Sequence, residues 1–107
     1  NNIWANAMNF HEDPWEQLSQ LNANSVRGYH LAGCSTEQMG NGLVYVDYHK
    51  EAIREEVWDL YQQSLTQFGP WPTIVEWENN VPSLDQTLDE VKRVSQYLRP
   101  YVLGEAQ

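Results

Sequence analysis

Apolar residues recur along this chain with two periods, and their alternation sets the expected order of elements. Trp15, Leu18 and Leu21 follow Asp13-Pro14 at helical spacing. Asp can cap free N–H groups and Pro suits the first helical position, so the spacing predicts a short helix, ended by Asn22-Ala23-Asn24-Ser25. Val26 to Ala32 (VRGYHLA) predicts a strand closed by Gly33. Residues 33–42, with Gly33, Gly40 and Gly42 among polar neighbours, predict a loop. Leu43 to Val46 predicts a second short strand, with Asp47-Tyr48-His49 directly after it. Arg54 to Phe68 is the clearest helix, because Val57, Leu60, Tyr61, Leu65 and Phe68 fall on one face. Gly69, Pro70 and Pro72 stop it in the expected order. Thr73 to Trp77 is a continuous apolar run rather than an alternating one, as in a parallel sheet covered on both faces. Ser83 with Gln86 forms a capping-box pattern opening a last helix, whose Leu84, Leu88, Val91 and Leu98 share a stripe and which is expected to end at Pro100.

Helices alternating with strands imply an α/β fold built around a parallel sheet. No internal repeat, low-complexity segment or linker divides the chain, so residues 1–107 read as one domain. A closed eight-stranded barrel takes ~250 residues, so 107 could supply only part of one. The opening Asn1-Asn2-Ile3-Trp4, with neither Met nor a polar tail, suggests a piece of a longer protein.

Charge narrows the partners. Fifteen acidic residues against six basic ones give a net charge of −9. That balance argues against a nucleic-acid groove or an anionic membrane surface, both of which select for Lys and Arg. The apolar runs are far shorter than the ~20 residues of a membrane span. No signal-like segment opens the chain, and a cytoplasmic location is expected. The single Cys34 excludes an internal disulfide and any Cys-based metal finger. Five Trp and six Tyr are a heavy aromatic load. Trp15 and Trp58 are expected to serve helix–sheet packing.

Glu76 is the most informative position. A carboxylate inside the apolar strand TIVEW needs a cation, a metal or a strong donor, since an unpaired charge there is costly. Arg27 or Arg54 could supply the cation. Its place at the C-terminal end of a strand is where α/β sheets carry their sites. His30 holds the same place on its own strand, as a hydrogen-bonded core residue or a ligand. Asp47 and His49, two apart on an extended segment, project to the same side. Two His and two carboxylates at consecutive strand ends make a plausible set for iron, manganese or zinc. Glu76 and Glu78 could act as an acid/base pair only if Glu78 has left the strand, because alternate strand residues face opposite sides. Cys34 is expected to be inert rather than nucleophilic. No nucleophile elbow, phosphate loop or dinucleotide fingerprint is present.

Together the strings His30-Leu31-Ala32-Gly33, Val46-Asp47-Tyr48-His49, Val57-Trp58-x-Leu60-Tyr61 and Gly69-Pro70-x-Pro72-Thr73-x-x-Glu76-Trp77, with Pro82 beyond, resemble one family. It is the multinuclear non-haem iron-dependent oxidases, which include the methanobactin biosynthesis oxidase. The resemblance runs from Asn1-Asn2 to about Leu98. It implies a TIM barrel of the xylose-isomerase-like kind, of which this chain would be a C-terminal portion of about three β/α units. It also implies two or three irons at the barrel mouth, an oxygen-dependent modification of a precursor peptide, and a partner protein. His30, Asp47, His49, Glu76 and Asn2 would match metal ligands of the family. Glu78 stands where many members carry an Asp taken as an acid/base group, and Cys34 where many carry His. The family's earlier His, His and Glu ligands lie on strands this sequence does not include, so this chain alone is expected to be inactive, with its iron set incomplete or absent. Two alternatives stand beside this reading. One is a non-catalytic barrel fragment stable only as a homo-oligomer; the other is a divalent-metal sugar isomerase-like barrel.

Overall fold

The structure is a computed structural model and describes residues 1–78 and 82–102. Its elements run α1 (Asn2–Asn9), α2 (Pro14–Ser19), a 3-10 turn (Ala23–Ser25), β1 (Tyr29–Ala32), β2 (Ser35–Met39), β3 (Gly42–Val46), α3 (Glu55–Phe68), β4 (Thr73–Glu76) and α4 (Leu84–Val102). The expected α/β character is present: β1 and β4 pair in parallel, with α3 between them in sequence.

Period-two alternation divides the parallel pair into two faces. Tyr29 lies opposite Thr73 and Leu31 opposite Val75 on one face; His30 lies opposite Ile74 and Ala32 opposite Glu76 on the other. The first face packs on α3. There the Tyr29 and Tyr61 rings meet edge to face at 5.4 Å, and the Tyr61 and Thr73 hydroxyls share a hydrogen bond of 2.8 Å. The second face carries His30 and Glu76 to the site. Ile74, expected to be buried, is instead 53% exposed on that face, so β4 is covered on one side only.

The apolar stripe of α3 is wholly buried, as its spacing predicts: Val57, Leu60, Tyr61, Leu65 and Phe68 join Trp58 in the core. Glu55 and Glu56 in its first turn suit the positive end of the helix dipole. Gly69 ends it at φ 102°, a conformation that favours glycine. Asp13 caps α2 by accepting from the Trp15 N–H at 2.9 Å, also as predicted. Ser83 Oγ accepts from the Gln86 N–H at the start of α4.

Four features differ from the sequence reading. Helix α1 was not foreseen; it buries Trp4, Ala5 and Ala7. Residues 35–39 are a strand rather than loop, paired antiparallel with β3 through a two-residue turn at Gly40-Asn41, where Gly40 has φ 59°. A Gly at the first central position supplies the positive φ that tight hairpins require. Strand β1 begins at Tyr29, shorter than Val26–Ala32. Helix α4 continues through Pro100 to Val102, and it docks by its C-terminal half. Contacts run in order from Arg93 with Glu55, through Tyr97 with Trp58 and Tyr61, to Tyr101 with Thr66. The two helices are therefore parallel, and the part of α4 before Arg93 overhangs the start of α3. Leu84, at 72%, and Leu88 and Val91 are consequently exposed rather than packed.

Side chains also close the β3 edge. Asn9 Nδ2 donates to the Tyr45 carbonyl at 2.7 Å, and Asn9 Oδ1 accepts from the Tyr45 N–H at 2.7 Å. Arg54 lies over Trp4 at 5.1 Å and donates from Nε to the Cys34 carbonyl.

Burial pushes the Tyr29 hydroxyl up to about 12, with smaller contributions from Tyr61 and Tyr101. Its single proton faces the carbonyls of Ser64 and Gly69, neither of which can donate to a phenolate. The unfolded chain loses this proton near pH 10, before the folded chain does. The contribution is thus full below pH 10 and is lost as pH rises toward 12. Alkaline unfolding followed by circular dichroism should show this loss, and Tyr29→Phe should flatten it. An identical alkaline limb in the variant would contradict the assignment.

Candidate metal centre

Four segments converge on one point. Strand β1 supplies His30, the segment after β3 supplies Asp47 and His49, and the end of β4 supplies Glu76 and then Glu78. The start of α1 adds Asn1 and Asn2. His49 is central: its Nε2 is 3.2 Å from Asp47 Oδ1, and its Nδ1 is 3.1 Å from both Glu76 Oε2 and Glu78 Oε1. The other Glu76 oxygen meets His30 Nδ1. Asn2 Nδ2 donates to Asp47 Oδ2 at 3.2 Å, and Asn1 Nδ2 donates to Asp47 Oδ1.

Strand geometry explains much of this. His30 and Glu76 share a sheet face, so their side chains meet across the pair even though His30 is registered with Ile74. Strand β4 ends at Glu76, which frees Glu78 from the alternation that would have pointed it away. The Glu78 N–H then donates to the His49 carbonyl at 2.6 Å and brings the two loops together. The condition set by the sequence for pairing Glu76 with Glu78 is met.

Neither Arg27 nor Arg54 pairs with Glu76. Arg27 stacks on Trp71 at 5.0 Å, and Arg54 is held over Trp4 and Tyr45. The carboxylate answers to two imidazoles instead. Cys34 is fully buried and burial raises its thiol above the ordinary value, so a nucleophilic thiolate is disfavoured there.

The chemistry of the set is that of a possible metal site. One ligand atom from each of His49, Glu76 and Glu78 lies within 4.8 Å of the others. Both ring nitrogens of His49 are buried, and neither has a properly aligned hydrogen bond despite the surrounding carboxylates. Buried polar atoms are normally satisfied, so a ring with two orphaned nitrogens facing carboxylate oxygens suits a cation between them. The sequence reading overlooked Asn1, which belongs to the same Asp47 contact.

A cavity of about 480 Å³ opens beside these groups; Asn2, His30, Asp47, His49 and Glu76 form its polar end, and Val57, Leu60 and Phe68 lie on its apolar side. Among the described residues, no helix is long and apolar enough to cross a membrane.

Residues 1–99 match the family of RiPP precursor modification enzymes MbnB/TglH/ChrH. A UPF0276 protein from Acaryochloris marina is 38% identical over 98 residues, covering 92% of this chain and 34% of its own length. One from Vibrio vulnificus is 34% identical over 103 residues, covering 96% and 35%. One from Bordetella bronchiseptica is 35% identical over 96 residues, covering 89% and 33%. The chain spans about a third of the length of these curated relatives. No solved structure matches it.

Proposed function

The chain belongs to the MbnB/TglH/ChrH family of RiPP precursor modification enzymes, and from that premise we propose that it carries the C-terminal part of a non-haem iron centre that oxidises a precursor peptide. His30, Asp47, His49, Glu76 and Asn2 would hold iron, with manganese or zinc as the competing ions for such a nitrogen and oxygen set. Iron, when bound, supplies the one-electron and oxygen chemistry that side chains lack. The residues supply position and charge: three carboxylates balance cations, and Glu78, 67% exposed at the rim, accepts or returns a proton. The observation that carries this reading is His49, whose two buried nitrogens are unmatched among Asp47, Glu76 and Glu78.

The parallel β1–β4 pair with α3 crossing between them supports placement within a (β/α)8 barrel, at the strand ends where such barrels carry their chemistry. Association with a partner protein or a second copy is part of the same reading, supported by the exposed Leu84, Leu88 and Val91. Oxygen uptake with a peptide distinguishes the oxidase from a sugar isomerase on a similar barrel.

The test is Glu76→Gln. The amide keeps the shape and one carbonyl oxygen but loses the charge, so metal affinity should fall by at least the roughly 10–100-fold that loss of an outer partner causes, with the circular dichroism spectrum unchanged. Unchanged metal stoichiometry and affinity would return Glu76 to a purely structural pairing with the two histidines.

A further inference from the structure

Glu90 lies on the overhanging part of α4, half-buried, and its two oxygens serve different segments. Oε2 accepts from the Ile53 N–H at 2.9 Å, and Oε1 accepts from the Trp77 indole N–H at 2.6 Å. Ile53 closes the loop that leaves β3 with Asp47 and His49. Trp77 stands between Glu76 and Glu78. One carboxylate therefore spans both loops that bring groups to the candidate metal centre.

Those loops need such a tie. Strands β3 and β4 belong to different two-stranded sheets, so no ladder fixes one loop against the other. The Glu78 N–H to His49 carbonyl bond joins them at the site itself. We propose that Glu90 is a positioning residue that holds the His49 and Glu78 loops in register from behind, setting the separation of His49, Glu76 and Glu78. It touches none of the reacting groups. The bonds are charge-assisted, hence shorter and stronger than neutral ones. A glutamine offers a single acceptor oxygen and turns its NH₂ toward the other donor, so it can satisfy one loop at most. The inference rests on the metal-site reading above.

The experiment uses the 107-residue chain with Co²⁺ as the optical probe, and hydrogen exchange on the metal-free protein as a separate readout. Glu90→Gln and Glu90→Ala should weaken Co²⁺ binding by roughly 10–100-fold, as loss of an outer hydrogen-bond partner does, and should shift the spectrum of the bound ion. Exchange should rise over residues 47–53 and at Glu78, with protection in α3 retained. Trp77→Phe removes one donor together with part of a half-buried ring system; it should give a same-direction effect that is not additive with Glu90→Gln. It also carries the test if Glu90→Ala fails to fold. Variants that bind Co²⁺ as the parent does, or that lose protection throughout α3, would overturn the bridge. A parent chain that binds no Co²⁺, or a Glu76→Gln chain that binds it undiminished, would instead overturn the metal reading beneath it.

Discussion

Replacing Gly33 with Ala is expected to lower the stability of the chain by about 3 kcal/mol and its Tm by on the order of 15 °C. A Cβ at position 33 would sit 1.9 Å from the Glu51 carbonyl oxygen and 2.4 Å from its carbon. Both are backbone atoms, so no rotamer change relieves the clash. Either β1 or the segment through Glu51 has to move. That segment lies between His49 and Ile53, so the displacement reaches the site as well as the core. Thermal unfolding followed by circular dichroism reads the first effect, and Co²⁺ titration the second. A variant with unchanged Tm would mean that the 47–53 loop yields freely, contrary to the close approach of its backbone to Gly33.

His49→Ala should be the most damaging change to metal binding, exceeding the roughly 100-fold loss that removal of an outer partner can cause. Its ring stands 3.1–3.2 Å from oxygens of Asp47, Glu76 and Glu78, so on the proposed reading its removal would take a nitrogen ligand from the middle of the set. The metal-free chain should be affected less, because neither ring nitrogen makes an aligned hydrogen bond and what it loses is the contact with three carboxylates. The signature is therefore a contrast. Excess Co²⁺ should raise the Tm of the parent chain, through preferential binding to the folded state, and leave that of the variant unmoved. An equal rise in both would remove His49 from the site.

What could be read from the residues depended on how strongly local pattern and final packing agreed. Helix α3 has a complete apolar stripe and a Gly-Pro stop, and it lies as that pattern implies. Helix α1 was missed because Asn2, Asn6 and Asn9 are poor helix formers; burial of Trp4 and Ala7 overrides that propensity. Strand β2 (STEQM) has no apolar face to reveal it, and only the Gly40-Asn41-Gly42 turn signalled a hairpin. Leu84, Leu88 and Val91 form a true stripe, but pattern alone cannot say whether a neighbouring element reaches it, and α3 begins too late in the contact to do so.

The site divides in the same manner. His30, Asp47, His49, Glu76 and Glu78 could be singled out because charged or imidazole groups at strand ends are unusual in apolar surroundings. Their mutual distances depend on register between β1 and β4 and on where β4 stops. Glu90 was hidden because its role comes from two loops folding back on an exposed-looking helical position.

The Asn9 amide bears on how the sheet can grow. By pairing with both backbone groups of Tyr45, it occupies in mid-strand the N–H and C=O that an incoming strand would need. One side chain thus terminates the ladder at that border of the hairpin, and α1 would have to be peeled away before the ladder could continue there.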